Sequence, residues 1–426
     1  MATLILFGVF ALLLVIGVPV AFSLICASLA TVTYLGLPPI VVVQQVVAGA
    51  GTASLIAIPL FIFAGEIMLR GGISERLIGL AAALVGHLRG GLGQVSVLSS
   101  LFFGGVSGSA LADVSAIGGA MIPQMVQRGF DRDFAVNVSV TAALVALLVP
   151  PSHNLILYSA SAGGGISIAD LFAAGIIPAL LLTVALMFTG WWIARRRGYA
   201  VEPFPGMVVV AQRFVAALPG LLLVALIFVG IRAGIFTAVE SAAIAVCYAL
   251  LVTALVYRKL RWRDFVQTCA QAARMTGMIL FVIAAAASFG WLLAYLQIPT
   301  AAVNALTSLT HDKNLLLLLM VLILLVLGTF MDLAPMIIIC TPIFLPLAKA
   351  IGVDPVHFGI ILILKGGIGL ITPPLGSVLF VGTAIGKISI GETMRTIWPF
   401  YLAAFAVLIA VTFIPALSLW LPALLK

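Results

Sequence analysis

Apolar runs of about 16 to 25 residues recur along the whole chain, a length that crosses a bilayer as a helix. In the first half they predict spans at 2–17 and 19–36, a short amphipathic stretch at 40–52 and a span at 54–69. A Gly/Ser-rich apolar segment follows at 92–126, then a span at 134–161 interrupted by Pro150-Pro151, and a span at 171–194. The second half predicts spans at 217–231 and 236–257, an amphipathic stretch at 261–274 and a span at 276–295. It continues with a segment at 315–349, a span at 356–385 interrupted by Pro373-Pro374, and a span at 393–422.

The two series are one pattern repeated. Pro123 recurs at Pro346, Gly129 at Gly352, Asp131 at Asp354 and Pro150-Pro151 at Pro373-Pro374, all at one constant offset. Past a single gap in that register, Ile166-Ser167-Ile168 matches Ile388-Ser389-Ile390, and Asp170 matches Glu392. The chain therefore divides into a first repeat at 1–200, a linker at 201–216 and a second repeat at 217–426.

Composition narrows the class. Of 426 residues 64% are hydrophobic and only 8% charged, and mean hydropathy is +1.31. Soluble domains carry roughly 25% charged residues, so a soluble enzyme, a disordered chain and a disulfide scaffold are excluded. Cys26, Cys247, Cys269 and Cys340 share no metal-like spacing and read as packing residues. The first apolar run has no basic region before it and leads into another span, so a cleaved signal peptide is not expected.

Charge placement sets the expected topology. If 92–126 and 315–349 are re-entrant hairpins, each half has about five crossings and the second is inverted relative to the first. With both termini outside, 16 of the 21 basic residues are cytoplasmic, Arg232, Lys313, Lys349 and Lys426 are external, and Lys365 is left inside a span. This fits the positive-inside rule better than simple spans do. The net charge of +8 is then a topology signal, and the Arg258-to-Arg263 stretch a membrane-lipid anchor; neither requires nucleic acid. The expected fold is an all-α polytopic membrane protein, an inverted repeat of two halves, each with about five transmembrane spans and one re-entrant helical hairpin. Inverted repeats with broken helices point to a secondary transporter with its site near the midplane.

The chemistry falls on the tips and breaks. A Pro pair removes backbone donors and frees carbonyls, which lipid tolerates only where the break lines protein or water. The first tip, Gly104 to Ser109, and the second, Gly328-Thr329-Phe330-Met331-Asp332, combine permissive backbone with hydroxyls or a carboxylate. Half-helix N-termini suit a carboxylate, and freed carbonyls and hydroxyls suit sodium. Candidate substrate or ion contacts are Gly105, Ser107, Gly108, Ser109, Asp113, Pro150, Ser152, His153, Asn154, Gly328, Thr329, Asp332, Lys365, Gly366, Gly369, Thr372, Pro373 and Pro374. For sodium itself they are Ser107, Ser109, Pro150, Gly328 and Thr372.

Ionisable residues within the membrane are functional candidates. Asp113 and Asp332 either hold a tip in shape or contribute to a cation site. Glu240, in a span, would pair with Arg232. Lys365, about two turns before Pro373, either attracts a substrate carboxylate, supplies a fixed positive charge in place of sodium, or pairs with a carbonyl or Asp332. His153 either touches substrate or is a satisfied polar residue. His87, His311 and His357 lie near segment ends.

Several segments resemble the large membrane subunit of tripartite ATP-independent periplasmic (TRAP) transporters. They are Ile58-Pro59-Leu60-Phe61-Ile62-Phe63-Ala64-Gly65, Phe103-Gly104-Gly105-Val106-Ser107-Gly108-Ser109-Ala110, Ala116-Ile117-Gly118 through Met121-Ile122-Pro123, Val149-Pro150-Pro151-Ser152, Asp354-Pro355-Val356-His357-Phe358-Gly359, and Ile368-Gly369-Leu370-Ile371-Thr372-Pro373-Pro374. The resemblance implies an elevator-type, sodium-coupled importer in the bacterial inner membrane, with periplasmic termini and no other cofactor. It implies an organic acid delivered by a soluble periplasmic binding protein, and a small four-helix membrane subunit as partner. Family ion and substrate positions fall on Ser107, Gly108, Ser109, Pro150, Gly328, Asp332, Thr372 and Pro373. The sequence differs from the common family pattern at His153-Asn154 and Lys365-Gly366-Gly367.

Two other classes compete. Gly105-Val106-Ser107-Gly108 matches the Gly-x-Ser-Gly pattern of intramembrane serine proteases, with His153 as base, but the second repeat offers neither Ser nor His. A passive channel would share the topology. No Walker A motif supports ATP hydrolysis.

Overall fold

The computed structural model describes residues 1–51, 53–310 and 312–425, so His311 and Lys426 lie outside the described residues. The described residues form helices and no strand. The first half is α1 (Ala2–Val15), α2 (Val20–Tyr34), α3 (Ile40–Ala50), α4 (Ala57–Arg70), α5 (Ile73–Val85), α6 (Gly91–Ser107), α7 (Ala110–Asp113), α8 (Gly119–Gln127), α9 (Arg132–Ala142), α10 (His153–Ser161) and α11 (Ile168–Arg197). The second is α12 (Met207–Arg232), α13 (Ala238–Leu251), α14 (Trp262–Tyr295), α15 (Ile298–Leu309), α16 (Lys313–Phe330), α17 (Leu333–Ala350), α18 (Pro355–Leu370), α19 (Ser377–Gly386), α20 (Ile390–Thr396), α21 (Trp398–Phe413) and α22 (Ala416–Leu424).

Six helices among the described residues are long and apolar enough to cross a membrane, eight if each of two bent pairs is one crossing. Their outward faces carry exposed large apolar side chains, such as Val184, Leu226, Met278 and Leu322, as lipid contact requires.

Recurring sequence signals do recurring local work. Gly129 and Gly352 both have positive φ (+84° and +71°) where a helix ends, a conformation that a Cβ disfavours. Ser167 and Ser389 each cap a following helix, accepting the N–H of Asp170 and Glu392 at 3.2 Å. Those caps explain why Ser and an acid three residues on appear in both halves.

Several elements differ from the sequence expectation. α5, absent from the predicted spans, is hidden by Ser74-Glu75-Arg76; its face of Ile73, Leu77, Leu80 and Ala81 is buried, and it packs on α6 and α12. The amphipathic stretch 261–274 and the span 276–295 are one 34-residue helix, α14, which no proline interrupts. Helix α12 begins at Met207, inside the stretch read as linker. The last span is divided into α20, α21 and α22, bent by 62° between the first two and broken at Pro415, which has no N–H to continue a helix.

Two bodies emerge from the packing. Helices α2, α3 and α4 pack on α14, α4 also on α13, and α12 on α5 and α13, forming a frame. The hairpins and broken spans form the second body. Within it the two broken spans run antiparallel: Gly386 and Gly382 face Val136 and Val140, Gly367 faces Leu144 and Leu147, and Gly359 faces Tyr158. The Tyr158 hydroxyl donates to the Pro355 carbonyl at 2.6 Å, and Asn137 Nδ2 to Thr396 Oγ1 at 2.9 Å. Glycines permit this approach, because a methyl on Gly359 would collide with the Tyr158 ring.

Gly359→Val should therefore cost about 1–3 kcal/mol through overpacking, read as a lowered midpoint of thermal unfolding in detergent. Gly391→Ala, where an added methyl meets nothing within 4 Å, should leave the midpoint near wild type. Equal midpoints for both variants would refute the close crossing.

Candidate functional site

Each proline pair interrupts its span where the opposing half crosses it. Pro150 and Pro151 have no N–H, so the carbonyls one turn earlier, at Ala146 and Leu147, lose their helical donors. The Ser152 hydroxyl supplies one replacement, donating to Leu147 O at 2.7 Å. In the second half Pro373 and Pro374 free the carbonyls of Gly369 and Leu370; the Thr372 N–H donates to Gly369 O at 3.0 Å, and Tyr401 donates from α21 to the adjacent Ile371 O at 2.5 Å.

The first hairpin consists of α6, a tip at Gly108-Ser109, α7, a single π-helical turn at Val114–Gly118 and α8. Its tip sits on the first break. Gly108 has φ +59°, and a methyl there would lie 2.9 Å from the Pro151 carbonyl; one on Gly105 would lie 3.0 Å from the Pro150 carbonyl. Asn154 Nδ2 donates to Gly108 O at 3.0 Å, and the His153 imidazole hydrogen-bonds the backbone of Ser107. Ser107 Oγ accepts the Ser109 N–H at 3.4 Å, and Ser109 Oγ caps α7 through Ala112 at 3.4 Å.

The second hairpin, α16 and α17, docks on the second break in the same way. Leu375 N–H donates to Thr329 O at 3.3 Å, and the Ser377 hydroxyl to Asp332 Oδ1 at 3.0 Å. Gly369 lies against the Gly328 carbonyl so closely that a methyl would collide with the oxygen. In the register of the repeat, Ser377 matches Asn154 and Asp332 matches Ser109. Equivalent positions thus tie each tip to its own break.

The structure separates the remaining candidates. Asp113 is fully buried between the hairpin arms; Ser100 donates to its Oδ2 at 2.6 Å, and its Oδ1 has no partner among the described residues. Lys365 is fully buried at the second tip, its Nζ 3.4 Å from Met336 Sδ, and it is not paired with Asp332, which is exposed. Gly366 packs on Leu333 and Met336. Thr372 donates to Ile368 O at 2.7 Å. Pro373-Pro374, like Pro150-Pro151, is a cis pair.

The expected Glu240–Arg232 pair is corrected. Glu240 stands in the first turn of α13, within a stretch long and apolar enough to cross a membrane, and completes a capping box with Thr237, while Arg232 pairs with Asp170 at 2.6 Å. A Ser-x-x-Glu-like signal, Thr237 to Glu240, was present to reveal the cap. Sequence reasoning passed over Glu66, which is 6% exposed on α4 with Oε2 unpartnered among the described residues, one residue from the Gly65 that packs on the Val106 carbonyl. A lone acid inside the apolar run 57–69 was its signal.

Cavities border this core. A nearly apolar crevice of about 320 Å³ backs onto Gly105 and Pro150 between α6, α11 and α12. Another of about 290 Å³ opens where Ala160 and Ser161 of α10 meet α14 and α17. A polar cavity of about 480 Å³ lies away from both tips, beside Arg128, Asp131, Arg197 and Tyr199. There Arg197 bridges Asp131 and Asp133 at 2.9 and 2.7 Å, and burial, with the Asp131 contact, pushes the Tyr199 phenol up to about 12.

Two helical hairpins docked on two broken, antiparallel helices, among helices long and apolar enough to cross a membrane, are the arrangement of a polytopic membrane transporter. The Ser-His protease geometry is not formed, since His153 meets the Ser107 backbone and Ser107 Oγ takes an amide proton. The chain belongs to the tripartite ATP-independent periplasmic transporter family as its DctM component, whose family model matches residues 7–417. It is 40% identical over 424 residues to the uncharacterized protein YgiK of Salmonella typhimurium, covering 99% of this chain and 97% of that one. It is 35% identical to YiaN, the 2,3-diketo-L-gulonate TRAP transporter large permease protein of Escherichia coli, covering 98% of each. Among solved structures, the YdaH transporter of Alcanivorax borkumensis shares the fold with a TM-score of 0.59 at 16% identity, over 92% of this chain and 88% of that one. The chain is thus the large permease of an ATP-independent transporter, not an enzyme.

Removing the Asn154 tie leaves the buried Gly108 carbonyl without its donor, a loss of about 1–3 kcal/mol. Asn154→Leu should lower transport with normal membrane insertion, and Asn154→Ser, the residue at the matching position of the other half, should retain more of it. Gly108→Val should abolish transport, because its Cβ meets Pro151 and its backbone is left-handed. Full uptake by Gly108→Val would remove the first tip from the site.

Proposed function

We propose that the chain imports an organic acid across the bacterial inner membrane, driven by an inward sodium gradient, by an elevator movement of the hairpin body against the frame. A soluble periplasmic binding protein delivers the acid, and a small four-helix membrane subunit completes the permease. Both termini are periplasmic, the orientation that puts most of the basic residues on the cytoplasmic side.

The observation that carries this reading is the docking of each tip on its own proline break. Around the first tip the hydroxyls of Ser107 and Ser109 gather with the carbonyls of Pro150 and Pro151, hard oxygen donors of the kind sodium takes. The N-terminal ends of α10 and α19 open at the breaks, and the N–H groups of a helix's first turn favour a carboxylate. An organic acid also agrees with the substrate in YiaN's name. The cavity between α10, α14 and α17 lies on the seam between the two bodies, the surface along which such a movement slides.

A binding screen on the cognate periplasmic protein identifies the acid. Liposomes holding both membrane subunits, supplied with that loaded protein, should then take it up only with sodium outside. Replacing sodium by potassium should reduce uptake to the level of empty liposomes. Unchanged uptake would remove sodium coupling, and uptake without the binding protein would remove delivery.

A further inference from the structure

The two halves bury unlike charges in like places. In the register of the repeat Met336 matches Asp113, so the second hairpin has a thioether where the first has a carboxylate. Lys365 approaches that thioether from α18, and its counterpart in the first half is Ala142, fully buried and unable to supply any charge.

Lys365 Nζ lies at the second tip. A methyl on Gly328 would collide with Nζ, so the amine occupies the space directly against the tip backbone. Its side chain is fully buried, and no ion pair among the described residues includes it. The Gly328 carbonyl lies against Gly369, and the Thr372 hydroxyl donates to Ile368 O at 2.7 Å. At the first tip, the atoms closest to Gly105 and Gly108 include the Pro150 and Pro151 carbonyls.

We infer that the Lys365 ammonium is the resident cation of the second half, so that this permease binds one coupling sodium ion, at the first tip alone. The inference rests on the sodium-coupled reading above. Two positive charges a few ångström apart repel strongly in a protein interior, so the ammonium excludes a sodium ion from the second tip. The same geometry makes Lys365 a substitute for an ion: it supplies one positive charge that never dissociates from the second hairpin.

The test is the sodium dependence of initial uptake by the complete complex in liposomes, for wild type, Lys365→Asn and Lys365→Met. Wild type should give a Hill slope of about one, and Lys365→Asn, which exchanges the amine for an amide oxygen and free space, a slope of about two. Lys365→Met fills the space with neither charge nor ligand and should lose uptake at every sodium concentration. A wild-type slope near two overturns the inference whatever the variants do, which keeps it testable if a variant fails to fold. Sodium-dependent uptake with an unchanged slope in Lys365→Asn, or retained uptake in Lys365→Met, overturns it while leaving sodium coupling standing. Wild-type uptake indifferent to sodium overturns the coupling reading itself.

Discussion

A carbonyl stripped of its helical donor inside a bilayer has no water to turn to, and the rest of this structure is arranged around that constraint. Each proline pair creates such carbonyls in the middle of a span. Short-range donors quench some of them, the Ser152 hydroxyl in one half and the Thr372 N–H in the other. A hairpin tip covers the remainder and is tied down by Asn154 in one half and by Leu375 and Ser377 in the other. The breaks would be intolerable without the tips, and the tips would have nothing to hold them without the breaks.

This mutual dependence explains the small residues. Gly105, Gly108 and Gly369 allow backbone to approach backbone, and Gly359, Gly367, Gly382 and Gly386 allow the two broken spans to cross. Helices in lipid gain little from hydrophobic association, so close van der Waals packing and interhelical hydrogen bonds must hold them together. The frame is built differently, from long continuous helices such as α12 and α14 with large side chains turned toward lipid.

Much of this was legible in the chain itself. The tips and breaks were, because Gly, Ser and Pro carry their backbone consequences with them, and because a constant interval between the halves marked the same device twice. Helix α5 was not, since three polar residues at its start masked an apolar face that only α6 and α12 reveal. The partner of Glu240 was misread because an acid amid apolar residues looks the same whether it pairs with an arginine or caps a helix. Glu66 was passed over although it stands alone inside an apolar run, because its burial follows only from how α4 packs.

Sequence alone determined the class, the two-fold repeat, the positions of the breaks and the scarcity of intramembrane charge. These depend on local backbone chemistry and on the cost of charge in lipid, both properties of residues in order. Tertiary structure alone decided which oxygen meets which donor. It left Asp113 bonded by Ser100 on one side and without a partner among the described residues on the other, and placed Lys365 against Gly328 and Met336 rather than Asp332. Those pairings join residues far apart in the chain or lying on separate helices, and only packing brings them within reach.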